Sequence, residues 1–161
     1  MSRKKALHDG MKMPTWIRTW IYSVASLCLA SGTMWLILHN FVTHEGEFGP
    51  EPHPLEHIML ISHGCISLLL VWFLGLIFII HIKRGWQKKQ NRTTGLIISL
   101  ISLMLMLSGL GLYYLGSEQL RMNTATLHWV LGLLAGIALP IHIYWGRALQ
   151  ARKTNKSTAS H

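Results

Sequence analysis

Long hydrophobic stretches separated by short charged clusters dominate this chain of 161 residues. Four such stretches run roughly from Trp16 to Leu38, from Leu55 to Ile82, from Gly95 to Leu115 and from Thr124 to Trp145. Each holds about 20 or more residues, which as a helix rising 1.5 Å per residue crosses about 30 Å of hydrocarbon. Because lipid offers the backbone no hydrogen-bond partner, each stretch predicts a membrane-spanning helix.

The links between these spans are short, so neighbouring spans should run antiparallel. The predicted fold class is therefore all-α, a membrane four-helix bundle over residues 16–150. Residues 1–15 form a basic head, and residues 151–161 are predicted to be a flexible tail. The first stretch is longer than the apolar core of a signal peptide, so we expect a retained span.

Charge sets the predicted orientation. Only 13% of the residues are charged and the formal net charge is +9, yet 14 of the 15 lysines and arginines fall on one side of the bundle. The positive-inside rule places that side, with both termini, in the cytoplasm. Because the basic residues flank apolar spans, they indicate topology and exclude a nucleic-acid-binding face. The same pattern excludes a soluble α/β enzyme, a disulfide scaffold and a disordered chain.

Four histidines lie within the spans, where ionisable side chains are costly and are functional candidates. His63 and His81 belong to the second span, and His128 and His142 belong to the fourth. A separation of 18 residues is five full turns, and one of 14 residues is about 40° short of four turns, so each pair shares a helix face. These two spans run in the same direction, which pairs His63 with His128 on the outer side and His81 with His142 on the inner side.

Paired imidazoles on facing helices suit b-type haem, whose iron takes one nitrogen from each side. Two such pairs predict two haems, and iron with both axial positions filled is suited to electron transfer. The alternatives for these histidines are interhelical hydrogen bonding and, for His81, placement at the membrane interface. The two spacings differ by about one turn, which requires helix tilt, a π-bulge near a glycine or an inclined haem, and makes the outer haem the more certain one.

Several segments of the chain are similar to segments of a known protein family. These segments are Ser62-His63-Gly64, His81, Ser108-Gly109-Leu110-Gly111-Leu112-Tyr113-Tyr114, Leu127-His128-Trp129-Val130-Leu131-Gly132, His142 and Gly146-Arg147. The chain resembles small bacterial di-haem cytochromes b, namely cytochrome b-561 type proteins and the haem-bearing membrane subunits of hydrogenases and formate dehydrogenases. The resemblance covers about residues 16–150. It implies a bacterial inner-membrane protein with two non-covalent b haems that exchanges electrons with quinone or a redox protein.

Other charged residues are candidates for supporting roles. Arg121 is the only cation on the predicted outer side, and it can pair with haem propionates there or meet lipid headgroups. On the inner side Arg147 can likewise pair with haem propionates, or its charge can act only to set the orientation of the chain in the membrane. The acidic, histidine-containing loop of residues 43–57 can dock a basic periplasmic electron carrier, bind a metal or simply be solvated.

The predicted function is electron transfer between the quinone pool and a periplasmic or membrane redox partner, alone or as a subunit of a larger oxidoreductase complex. Whether the chain is itself an enzyme stays open at this point. The alternatives are a protein with only the outer haem and a haem-free membrane protein, either an assembly scaffold or a metal transporter. A transport pathway needs acidic or polar residues inside the spans, and the one acid near a span is Glu56 at its mouth.

Overall fold

Four long helices and one short hairpin make up the computed structural model, which describes residues 15–47, 49–78 and 92–158. Their bounds, in chain order, are α1 (Thr15–Phe41), β1 (Thr43–Gly46), β2 (Gly49–Pro52), α2 (Pro54–Ile77), α3 (Arg92–Tyr114) and α4 (Glu118–Thr158). All four helices are long and apolar enough to cross a membrane, α4 over Glu118–Leu149. The four predicted spans are thereby confirmed as helices of membrane-spanning length, in an arrangement consistent with a four-helix bundle.

The helices form two hairpins. α1 packs along α2, α3 packs along α4, and α1 also contacts α4. A small apolar core of Ile21, Val24 and Phe73 lies between α1 and α2. Most large hydrophobic side chains elsewhere point outward, for example Leu68 at 73% and Ile137 at 62% exposure. An outer surface this apolar is suited to contact with lipid and would be a liability in water.

The link between α1 and α2 is more ordered than a loop. An antiparallel two-stranded hairpin runs from Thr43 to Pro52, and it was not predicted from the sequence. Gly49 adopts a φ of 120°, which L side chains rarely tolerate. The imidazole of His53 then accepts a hydrogen bond from the Leu55 N–H at 3.2 Å, and Pro54 opens α2, where a missing N–H costs nothing.

α4 extends beyond its hydrophobic stretch at both ends. α4 begins at Glu118, before the predicted Thr124, because its polar first turns are stabilised by an acid near the positive helix end and by a Gln119–Asn123 hydrogen bond of 3.1 Å. It continues to Thr158, so helical backbone extends through most of the segment predicted as a flexible tail. Hydropathy marks only the part of a helix that meets lipid, so it cannot register such polar turns.

Candidate functional site

His63 lies on α2 and is held by α1. Its Nδ1 lies 3.0 Å from the carbonyl oxygen of Cys28, 3.3 Å from Ser31 Oγ and 3.8 Å from Cys28 Sγ. A carbonyl oxygen only accepts, so Nδ1 must carry the proton and donate. Nε2 then holds the lone pair and lies on the other side of the ring. A histidine fixed in this tautomer by a carbonyl is prepared to bind a metal through Nε2.

His128 lies on α4 and is held by α3 in a similar way. Its Nδ1 lies 2.9 Å from Ser108 Oγ, and the Ser108 hydroxyl lies 2.7 Å from the Met104 carbonyl, to which it donates. Because that hydroxyl proton is committed to Met104, the His128 Nδ1–H donates to Ser108 and the lone pair again resides on Nε2. Ser108 is one of the few buried polar residues, at 6% exposure.

The two rings lie close together between the helical hairpins. Their centroids are 6.2 Å apart and their planes are nearly perpendicular, at 85°. A five-membered ring with bonds of about 1.33 Å has its atoms about 1.1 Å from its centre. A metal–imidazole bond of about 2.0–2.1 Å then places the centres of two opposed ligands about 6.3 Å apart. The observed separation therefore fits two imidazoles that share one metal ion, as bis-histidine haem requires.

His142 lies on α4, toward the end of the bundle that holds the beginning of α1. Its Nδ1 is 2.9 Å from Thr94 Oγ1 on α3. Its predicted partner, His81, lies outside the described residues, so the inner pair stays a prediction. Phe78, directly after α2, has α-helical backbone angles, φ −54° and ψ −48°, and its N–H donates to the Leu74 carbonyl. The helix tilt, π-bulge or inclined haem that the unequal histidine spacing requires stays a prediction.

A shared local motif surrounds the three candidate ligands that the structure describes, His63, His128 and His142. Each imidazole lies beside a hydroxyl residue followed by glycine on the neighbouring helix, and these dipeptides are Ser31-Gly32, Thr94-Gly95 and Ser108-Gly109. A Cβ on Gly32 would lie 2.8 Å from His63 Cε1, closer than real Cβ contacts allow. At Gly109 and Gly95 the corresponding distances are 3.5 Å and 3.7 Å, ordinary contacts. The pairing of each hydroxyl with a histidine on the neighbouring helix was not predicted from the sequence.

Both predicted arginines are exposed and on α4. Arg121 lies seven residues before His128, about 10.5 Å along the helix axis. It is displaced toward the end of the bundle that carries the β hairpin of β1 and β2, which we call the hairpin end. Arg147 lies five residues after His142, where it lines a groove with α1. The structure thus places one arginine beyond each α4 histidine, toward the nearer end of the bundle. A role for either residue toward a propionate stays a prediction.

A contact between the side chains of His39 and Glu56 was not predicted from the sequence. His39 Nδ1, near the end of α1, lies 2.7 Å from Glu56 Oε1 in the first turn of α2, and Trp35 stacks on the His39 ring at 4.8 Å. Trp35 and His39 are four residues apart, a spacing that places side chains on one helix face. Only the fold could bring Glu56 to them. Among the described residues, no group of three or more His, Cys, Asp or Glu side chains is placed to hold a metal ion.

Comparisons with protein-family models, with curated proteins and with solved structures find no match for this chain. The resemblance to di-haem cytochromes b therefore stays a prediction.

Proposed function

We propose that this chain is a multi-pass membrane cytochrome of b type, which carries electrons between the quinone pool and a redox protein through two haems, each held by two histidines. The observation that carries the proposal is the His63–His128 pair, whose ring separation of 6.2 Å fits two axial ligands of one iron. Haem, when bound, supplies one-electron redox chemistry.

The chain's own residues determine what such a site can do. His63 and His128 would each present Nε2, because their Nδ1 atoms are committed to partners on α1 and α3. Hydrogen bonds of this kind orient metal-binding imidazoles and raise their basicity. His63 and His128 would hold the haem from its two sides and would leave no coordination position for oxygen or a substrate. This arrangement favours electron transfer over activation of a small molecule.

The second haem is proposed for His142 with His81. Its support is the Thr94–His142 contact of 2.9 Å, which repeats the hydroxyl contact found at His128. Two haems at two depths would let electrons cross the bilayer. Both termini are proposed to face the cytoplasm of a bacterial inner membrane, from the charge distribution. The hairpin end, which carries Glu45, Glu51 and Glu56, would then face a basic periplasmic redox partner.

Haem stoichiometry tests the proposal. The purified, dithionite-reduced protein should show a b-type spectrum with two haems per chain. His63→Ala and His142→Ala should each lose one haem and keep the other, while His57→Ala, at an exposed histidine on the same helix as His63, should keep both. Full haem content in either of the first two variants would reject that residue as a ligand.

The alternatives give different outcomes in the same measurement. One haem per wild-type chain, lost in His63→Ala and kept in His142→Ala, would establish a mono-haem protein that uses the outer pair alone. A protein with no haem, after expression with adequate haem supply, would instead favour a haem-free scaffold or transporter.

A further inference from the structure

An open groove lies between α1 and α4, at the end of the bundle opposite the hairpin. It has a volume of about 360 Å³ and is lined by Tyr22 and Ser26 of α1 and by α4 side chains between positions 139 and 147. Small-molecule sites have volumes of about 300–1,000 Å³, so this groove is at the small end of that range. It has room for a head group, while a longer ligand must extend onto the outer surface of the helices.

Helix geometry separates this groove from the face of α4 that carries His142. α1 and α4 make a close contact at Gly136, where a Cβ would be 2.8 Å from Leu29 Cδ2. Arg147 follows Gly136 by about three helical turns, so both residues are on the face of α4 that is directed toward α1. His142 differs from Arg147 by a rotation of about 140° around the helix axis. Arg147 therefore belongs to the groove and is directed away from the proposed haem ligand.

The groove combines a cation and hydroxyl groups with an apolar wall. Tyr22, Ser26 and Tyr144 provide the hydroxyls, and Arg147 provides a guanidinium, which only donates hydrogen bonds. No residue that lines the groove is acidic. The described helix segments at this end of the bundle contain no Asp or Glu, and they are residues 15–26, 70–78, 92–100 and 139–149. The site therefore suits a ligand that brings acceptor oxygens and a negative charge.

Exposed tryptophans indicate the depth of the groove in a membrane. Trp20 is two residues before Tyr22 on α1, Trp145 directly follows Tyr144 on α4, and both indole side chains are exposed. Tryptophans on the outer surface of membrane proteins are enriched at the level of the lipid head groups. The polar groups of the groove therefore lie at head-group level. Its apolar wall, which includes Ile143, continues toward the acyl chains.

We propose that this groove binds one anionic phospholipid, whose phosphate accepts hydrogen bonds from Arg147 and from the tyrosine hydroxyls while its acyl chains lie along the apolar wall. A phosphodiester has one negative charge and only acceptor oxygens, which matches a site with one cation and no carboxylate. A zwitterionic lipid would leave its ammonium group without an acidic partner. Because the groove is open to the outside of the bundle, the lipid needs no path through the protein. The inference does not depend on the proposed haems.

Native mass spectrometry of the full chain, released from detergent micelles, tests the proposal. Phosphatidylglycerol and phosphatidylcholine with identical acyl chains are titrated separately, and the lipid retained per chain gives the two dissociation constants. Inorganic phosphate is added as a competitor, because it shares the charge of the head group but has no acyl chain. Haem content is measured by absorption on the same samples, so that lipid binding and haem binding are recorded independently.

One phosphatidylglycerol per chain is expected, bound at least about tenfold more tightly than phosphatidylcholine, since hydrogen bonds between charged groups are the stronger ones. Arg147→Gln should weaken phosphatidylglycerol binding by about tenfold and remove the preference, whereas Arg147→Lys, which keeps the charge, should retain most of it. Tyr22→Phe should weaken binding by about threefold. The matched control is Arg18→Gln, which removes an exposed arginine of α1 that does not line the groove and should leave the preference unchanged.

Equal affinities of the wild-type chain for the two lipids would overturn the proposal. So would an equal loss of preference in Arg18→Gln and Arg147→Gln, because the attraction would then be one of surface charge in general. Displacement of the lipid by inorganic phosphate would identify a site for free phosphate. If Arg147→Gln lowers haem content and leaves lipid binding unchanged, the guanidinium serves a propionate and the inference is rejected. Selective lipid binding in a chain without haem would keep this inference and reject the proposed function.

Discussion

Both ends of the bundle place an α4 histidine beside a hydroxyl group of α3, but the described residues show a second candidate ligand only at the hairpin end. At the hairpin end, the rings of His63 and His128 are 6.2 Å apart, and each Nδ1 donates to an oxygen on the neighbouring helix. At the opposite end, His142 has a hydroxyl partner in Thr94, and an open groove lies between α1 and α4. The described residues thus hold both members of a proposed ligand pair at the hairpin end and one member at the other end.

The glycines sharpen this contrast. Gly32 contacts His63 so closely that any side chain would displace the ring, whereas Gly95 leaves ordinary van der Waals space beside His142. The same substitution should therefore have a large effect at Gly32 and a small one at Gly95.

The largest expected effect is at Gly32. Gly32→Val should cost the outer haem, because the new side chain collides with His63 Cε1, and it should destabilise the fold by about 1–3 kcal/mol as overpacking does. Gly75→Val is the matched control, since a Cβ there meets no atom within 4 Å. The measurement is haem per chain by absorption, with thermal unfolding alongside. Two haems retained in Gly32→Val would contradict the assignment of His63.

A smaller effect is expected at Ser108. Ser108→Ala removes the hydroxyl that accepts from His128 Nδ1, and loss of such a supporting hydrogen bond typically weakens metal binding by 10–100-fold. Ser31→Ala should weaken haem binding less, because the Cys28 carbonyl still accepts from His63. Haem dissociation rates test this order, and Ser108→Ala should release haem faster than Ser31→Ala. Equal rates would show that the hydroxyls do not position the rings as the structure implies.

A substitution at Thr94 tests whether His142, at the end of the bundle opposite the β hairpin, is a haem ligand. Thr94→Val keeps the shape of the side chain and removes the hydroxyl near His142, so it should shift the midpoint potential of one haem and leave that of the outer haem unchanged. Ser108→Ala should produce the opposite selectivity. Thr93→Val, at an exposed position next to Thr94, is the control. A redox titration that resolves both haems checks this, and an unchanged pair of potentials in Thr94→Val would argue against His142 as a ligand.

The smallest effect is expected for the pair of His39 with Glu56. The His39 side chain is 53% exposed, and exposed pairs contribute about 0–1 kcal/mol. Glu56→Gln should therefore change thermal stability by less than about 1 kcal/mol and keep both haems. Loss of the outer haem in this variant would mean that the pair supports the His63 site, two turns away along α2.

Much of this architecture could be predicted from residue order alone. Helix number and approximate bounds follow from hydrophobicity, since every backbone amide in a lipid-spanning segment must find its partner within its own helix. The same-face relation of His63 to His81 and of His128 to His142 follows from helical periodicity. The β hairpin was not predicted because Pro50 and Pro52 argue against strands, although a two-stranded ribbon can accommodate them at its edge.

The contacts between helices could not be predicted in this way. Sequence placed His63 and His128 at matching depths, but their 6.2 Å separation depends on how two helical hairpins approach each other. The hydroxyl–glycine partners, the His39–Glu56 pair and the groove of Tyr22 and Arg147 also join residues far apart in the chain. Periodicity fixes which face a residue occupies, whereas packing between helices decides what that face meets, and only the tertiary structure contains that information.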